Sequence, residues 1–104
     1  VSAHLYIKRD GTIIQFVPFN KCAWHAGESI FKGRKNCNEF SIGIEIQGKV
    51  DEEYTREQYE NLKKIVDALK NFFQLKDVVA HSEISPERKK DPGPLFDWSK
   101  LDEN

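Results

Sequence analysis

The chain has 104 residues, 38% hydrophobic and 32% charged, with a formal net charge of −1. That is the size of one soluble domain with a modest core, and no apolar run approaches the roughly 20 residues that a membrane-spanning helix needs. A near-neutral balance gives no reason to expect nucleic acid or an anionic membrane as partner, and no signal peptide, internal repeat or low-complexity linker is visible.

Ser2 to Lys8 alternates polar and apolar β-formers, Asp10-Gly11 supplies a hairpin turn, and Thr12 to Val17 resumes as a strand. The two predicted strands are adjacent and antiparallel. His4 lies in this hairpin and is read as a hydrogen-bonded packing residue, the commoner use of a strand histidine, not as a metal ligand. Asn20 to Glu39 is rich in Gly, Asn, Lys and Ser without a sustained period, so it reads as a long surface loop, and long loops in compact domains are often functional. It holds Trp24-His25-Ala26-Gly27 and the only two cysteines, Cys22 and Cys37, which can pair in an oxidising compartment or stay reduced.

Phe40 to Gln47 alternates, with Ile42, Ile44 and Ile46 on one face and Ser41, Gly43, Glu45 and Gln47 on the other, which predicts a central strand. On pattern alone Glu45 is a solvent-facing carboxylate. A charged loop follows, then Thr55-Arg56-Glu57-Gln58 forms a capping box. From it a helix is predicted to about Gln74, with Tyr59, Leu62, Ile65, Val66, Leu69 and Phe73 as its core stripe. Val78-Val79-Ala80 is apolar and mostly β-branched and reads as a buried strand with His81 at its carboxyl end, where open α/β sheets place ligands. Asp91 precedes proline, which biases its backbone to extended geometry, and Pro92-Gly93-Pro94 leaves it little freedom. Imidazole and carboxylate both ligate zinc. A His/Asp pair is no metal signature by itself, and spacing leaves open an ordinary strand-end histidine and a turn aspartate. Pro86 to Lys90 reads as a solvated basic loop, and Phe96-Asp97-Trp98 as the closure of the core ahead of a helix starting near Ser99.

Four blocks, taken in order along nearly the whole chain, carry a family resemblance. They are VSAHLYIKRDGTIIQFVPF (1–19), AWHAG (23–27), NEFSIGIEIQG (38–48) and AHSEISPERKKDPGPLFDW (80–98). They closely resemble the zinc-dependent N-acetylmuramoyl-L-alanine amidases of the AmpD type, within the amidase-2 and peptidoglycan-recognition-protein superfamily. The resemblance implies Zn2+ as cofactor with His81 and Asp91 as two of its ligands. The family's first zinc histidine is expected on a strand upstream of Val1, so the 104 residues are read as an N-terminally incomplete single domain. Glu45 follows the IGI block where the family has its catalytic acid/base, and with Ala3 in place of the tyrosine of phage lysozyme-type members it points to the AmpD branch. Lys89 stands where the family's lysine stabilises the oxyanion, and Lys90 where other members carry a small polar residue. The AWHAG block borders the family's substrate cleft. There Trp24 either offers its flat face to a sugar ring or pins the loop to the core, and His25 supplies a polar contact. Asn36 replaces an arginine common before the position of Cys37, which weakens any carry-over of anion contacts from this loop.

The implied fold is α/β, a central mixed β-sheet flanked by α-helices. The hairpin, the Phe40 strand and the Val78 strand lie in the sheet, the helix from Thr55 covers one face, and the N-terminal strand is missing. If that strand is a central one, the 104 residues carry an open apolar slot. The implied reaction is hydrolysis of the amide between N-acetylmuramic acid, in its 1,6-anhydro form, and L-alanine of stem peptides during bacterial cell-wall recycling. The implied substrate partner is a muropeptide, for a cytoplasmic, monomeric protein with reduced cysteines. Two alternatives stand beside it: a non-catalytic muropeptide-binding module, as in relatives that lack a zinc ligand, and a lytic amidase acting on intact murein.

Overall fold

The computed structural model describes residues 3–49 and 51–102; the expected start of the first strand at Ser2 lies outside them. Strand β1 (Leu5–Ile7) and strand β2 (Ile13–Gln15) form the predicted antiparallel hairpin, in the register Leu5 to Gln15. Asp10 Oδ1 accepts from the Thr12 amide at 2.9 Å, and Gly11 takes φ +90°, a left-handed value open to glycine. The tight turn leaves space only for that residue. A Cβ on Gly11 would stand 2.9 Å from the Cβ of Glu57, on the helix that follows.

The segment read as one long loop contains a small hairpin, β3 (Ile30–Phe31) and β4 (Arg34–Lys35), and then one 3-10 turn at Cys37–Glu39. Lys32 and Gly33 between the strands both have positive φ, the pattern of a two-residue turn that follows the right-handed twist of a strand pair. Strand β5 (Ile44–Ile46) is shorter than predicted and pairs in parallel with β1, Tyr6 opposite Glu45. The three-stranded sheet is therefore mixed, in the order β2-β1-β5. β1 is its centre. β5, predicted central, is an edge strand among the described residues.

Helix α1 (Arg56–Phe73) has the predicted capping box, with the Thr55 side chain accepting from the Gln58 amide at 3.1 Å and the Gln58 side chain accepting from the Thr55 amide at 2.9 Å. Gln58 is almost wholly buried and its amide group also donates to the carbonyls of Ile7 and Gln47, which stitches the helix start to β1 and to the end of β5. Leu62 and Val66 pack with Ile7, Tyr54 and Phe96 in the main core, each such side chain contributing roughly 1.5–3 kcal/mol by leaving water. Phe73, assigned to the same stripe, is 40% exposed. Phe96 closes the core as expected, and a 3-10 turn, Trp98–Leu101, stands where a helix was predicted to start.

Val78-Val79-Ala80 is not a strand. Val78 is exposed, and no backbone group of residues 77–79 bonds to another backbone group among the described residues. His81 opens a short helix, α2 (His81–Ile84), instead of ending a strand. β-propensity expresses packing against neighbouring strands, and beside Val78 no strand is described to express it against. Between β5 and this segment lies a cavity of about 600 Å³, walled by Ile44, Ile46, Leu62, Val66, Leu69 and Val79 among others.

Candidate active site

The loop that carries Trp24 and His25 is shaped by one amide side chain. Asn38 is buried, and its Oδ1 accepts from the backbone N–H of His25 at 2.9 Å and of Ala26 at 2.7 Å. The Ser29 hydroxyl donates to the Gly27 carbonyl and accepts from the Cys37 amide. Gly27 itself has φ +61°. So anchored, the loop presents the carbonyls of Ala26 and Glu28 towards residues 81–88.

His81 uses one of those carbonyls. Its Nε2 lies 3.0 Å from the Ala26 oxygen, which can only accept; a proton on Nε2 satisfies that carbonyl and leaves Nδ1 bare. The bare nitrogen faces Asp91 Oδ2 at 3.3 Å. With the proton on Nε2, a nitrogen lone pair and a carboxylate oxygen point at each other, an arrangement that favours a cation between them, and imidazole and carboxylate both suit zinc. Asp91 is fixed from both sides. The Ser82 amide donates to its carbonyl at 3.1 Å, and the Tyr54 hydroxyl donates to the carbonyl of Pro92 at 2.8 Å, across a cis Asp91–Pro92 peptide. Burial first, and then the Asp91 charge, push the Tyr54 phenol above its ordinary range, so it remains a donor. Among the described residues no third His, Cys, Asp or Glu joins the pair.

Glu45 lies two residues from Gly43 and so on the same sheet face. That face is covered at Gly43 by the imidazole of His25, with which any Cβ there would collide. His25 Nε2 lies 3.3 Å from the Ser41 hydroxyl, whose proton goes to the Cys37 carbonyl; the hydroxyl therefore accepts and His25, too, is protonated on Nε2. Burial, and then the positive charge that His4 and His81 would bear, lower the His25 pKa to about 4. It is a neutral polar group at ordinary pH. Glu45, Lys89, His25, His81 and Asp91 all border the same cavity, the first exposed and Lys89 half-buried. Trp24 does not. Its ring is 68% exposed, so it does not pin the loop to the core. His4 is the packing residue expected: wholly buried, with Nε2 donating to the Lys21 carbonyl at 2.7 Å and Nδ1 accepting from the Gly43 amide at 3.1 Å.

Sequence reasoning missed Asn38, Tyr54 and Arg88. Each acts on the site through backbone atoms far away in sequence, so no local spacing marks it. Both cysteines are free thiols, Cys37 buried and Cys22 exposed.

The sequence profile of the family described as N-acetylmuramoyl-L-alanine amidase matches residues 1–94. The chain is 50% identical over 103 residues to the 1,6-anhydro-N-acetylmuramyl-L-alanine amidase AmpD of Escherichia coli K12, covering 97% of this chain and 56% of that protein. It is 36% identical over 100 residues to the N-acetylmuramoyl-L-alanine amidase AmiD of the same organism, covering 86% of this chain and 36% of that protein. The fold superposes on a crystal structure of a selenomethionine AmpD derivative with a TM-score of 0.95 at 49% identity, over 98% of this chain and 58% of the other. It superposes on E. coli AmiD in complex with its substrate anhydro-N-acetylmuramic acid-L-Ala-D-γ-Glu-L-Lys with a TM-score of 0.88 at 33% identity, over 97% and 46%. The chain spans about half the length of the curated relatives it matches.

Proposed function

Since the chain belongs to the N-acetylmuramoyl-L-alanine amidase family, we propose that the protein hydrolyses the amide between N-acetylmuramic acid, in its 1,6-anhydro form, and L-alanine of peptidoglycan stem peptides, with zinc as cofactor. The observation that carries this reading is the approach of His81 Nδ1 to Asp91 Oδ2 at 3.3 Å on the wall of a cavity that Glu45 and Lys89 also border. His81 and Asp91 would hold the zinc, which when bound supplies Lewis-acid polarisation of the amide and a more acidic water. The protein's own residues carry the proton traffic and the charge.

The Glu45 carboxylate accepts a proton from the attacking water as the water's oxygen bonds to the carbonyl carbon, and returns that proton to the nitrogen as the C–N bond breaks. Lys89 offsets the negative charge that builds on the carbonyl oxygen, an effect of about 3 kcal/mol for a well-aimed donor. Neutral His25 offers its bare Nδ1 as an acceptor to a substrate N–H or hydroxyl, and exposed Trp24 offers an apolar face to a sugar ring. The reading places the reaction in the cytoplasm, on muropeptides released during wall recycling, and the protein as a monomer.

The test is release of the peptide from anhydromuropeptide by the intact protein. Glu45→Ala is expected to lower kcat by about 10²–10⁴-fold while leaving bound zinc unchanged. Binding of muropeptide with neither zinc nor cleavage would replace this reading with that of a recognition module.

A further inference from the structure

We propose that Arg88 is a positioning residue for His81 and acts through the carbonyl of Ala26, which the two side chains share. Its effect on activity rests on the amidase reading; its effect on His81 does not. Arg88 Nη2 donates to the Ala26 oxygen at 3.0 Å, the same distance at which His81 Nε2–H donates to it. A carbonyl has two lone pairs, and both are taken. The same Arg88 nitrogen donates to the Glu28 carbonyl at 3.0 Å, where the Ser85 hydroxyl also donates at 2.6 Å. His81, Ser85 and Arg88, spaced i, i+4, i+7, thus grip alternate carbonyls of one loop.

Gly27 makes the grip possible. Its φ of +61° brings the two carbonyls within reach of one guanidinium, which lies where a Cβ would be: a methyl there would stand 2.6 Å from Nη2.

The consequence for His81 is a matter of competing acceptors. Asp91 Oδ2 beside Nδ1 favours a proton on Nδ1, because a carboxylate is a stronger acceptor than a carbonyl. The Ala26 oxygen beside Nε2 favours the opposite tautomer, and only that one keeps Nδ1 free as a ligand. Arg88 decides the contest by holding the Ala26 carbonyl in line with Nε2.

The experiment reads the His81 tautomer directly, from nitrogen-resolved imidazole NMR spectra of the intact, metal-free protein well above the ordinary imidazole pKa. The unsubstituted protein is expected to show His81 protonated on Nε2, and Arg88→Ala to move that proton largely to Nδ1. Arg88→Lys restores part of the original tautomer, since an ammonium has hydrogens for both carbonyls but sits on a flexible stem without the fixed planar geometry of the guanidinium. Zinc affinity falls by about 10–100-fold in Arg88→Ala. Should Arg88→Ala not fold, Gly27→Ala, which displaces the guanidinium, and Arg88→Lys decide instead. An unchanged His81 tautomer in folded variants overturns the proposal, whatever their activity. A shifted tautomer in a protein that never cleaves muropeptide sustains it and removes the amidase reading alone.

Discussion

The three histidines stand in three different settings, and the difference lies in what faces Nδ1. In His4 that nitrogen is consumed by the Gly43 amide, in His81 it faces Asp91, and in His25 it has no hydrogen-bond partner among the described residues, the Ser41 bond being made by Nε2. The cost of holding His25 neutral shows in stability. Its folded pKa of about 4 lies below the unfolded value of 6.5, so the unfolded chain binds the extra proton first as pH falls. The contribution is complete above pH 6.5 and is lost progressively as pH falls towards 4. His25→Gln is expected to flatten the dependence of unfolding free energy on pH across that window, measured by urea denaturation at several pH values. An equal slope in both proteins would show that the imidazole is not held neutral. No spacing in the sequence reveals any of this. His25 and Ser41 are sixteen residues apart and Gly43 reads only as a small strand residue, so the histidine's role as a site group entered through family likeness, and its protonation through packing.

Legibility differs among the elements for physical reasons. α1 was readable end to end because its apolar period and length lie within eighteen consecutive residues and its cap, Thr55, immediately precedes them. The hairpin at Asp10-Gly11 was readable because the turn chemistry is local. The second hairpin was hidden by Lys32, which takes the positive φ usually signalled by Asn or Gly. The Val78 strand was misread because strand formation depends on a neighbour, and the central place given to β5 failed for the same reason. At this scale the capping box at Thr55 matters most, since Gln58 spends its side chain both on the cap and on the carbonyls of Ile7 and Gln47. Thr55→Ala is expected to cost about 1 kcal/mol by removing the cap acceptor. Gln58→Leu is expected to cost more, roughly 2–4 kcal/mol, because it strands several buried polar groups at once. Thermal or urea unfolding of the two variants side by side gives the order; a smaller loss in Gln58→Leu would mean that the clamp on the sheet contributes nothing beyond the cap.

For the whole molecule, the candidate site groups come from two halves of the chain that meet across the cavity. His25 and Glu45 belong to the sheet and its loop; His81, Lys89 and Asp91 belong to the segment after α1. What joins them covalently is the stretch through residues 77–79, whose backbone has no hydrogen-bonded neighbour among the described residues, and just before it stands exposed Lys76. An exposed, unpaired strand-like backbone is what a protease cleft binds, since it must lay its substrate out in extended form. Trypsin is therefore expected to make its first cut in the 104-residue chain after Lys76, ahead of the lysines within α1, as read by mass spectrometry of early digests. A first cut elsewhere would mean that this backbone finds a partner in solution. One nick there yields a fragment of 76 residues and one of 28, the first keeping the proposed acid/base carboxylate and the second both candidate ligands, so that a single broken peptide bond divides the candidate site without removing a single residue.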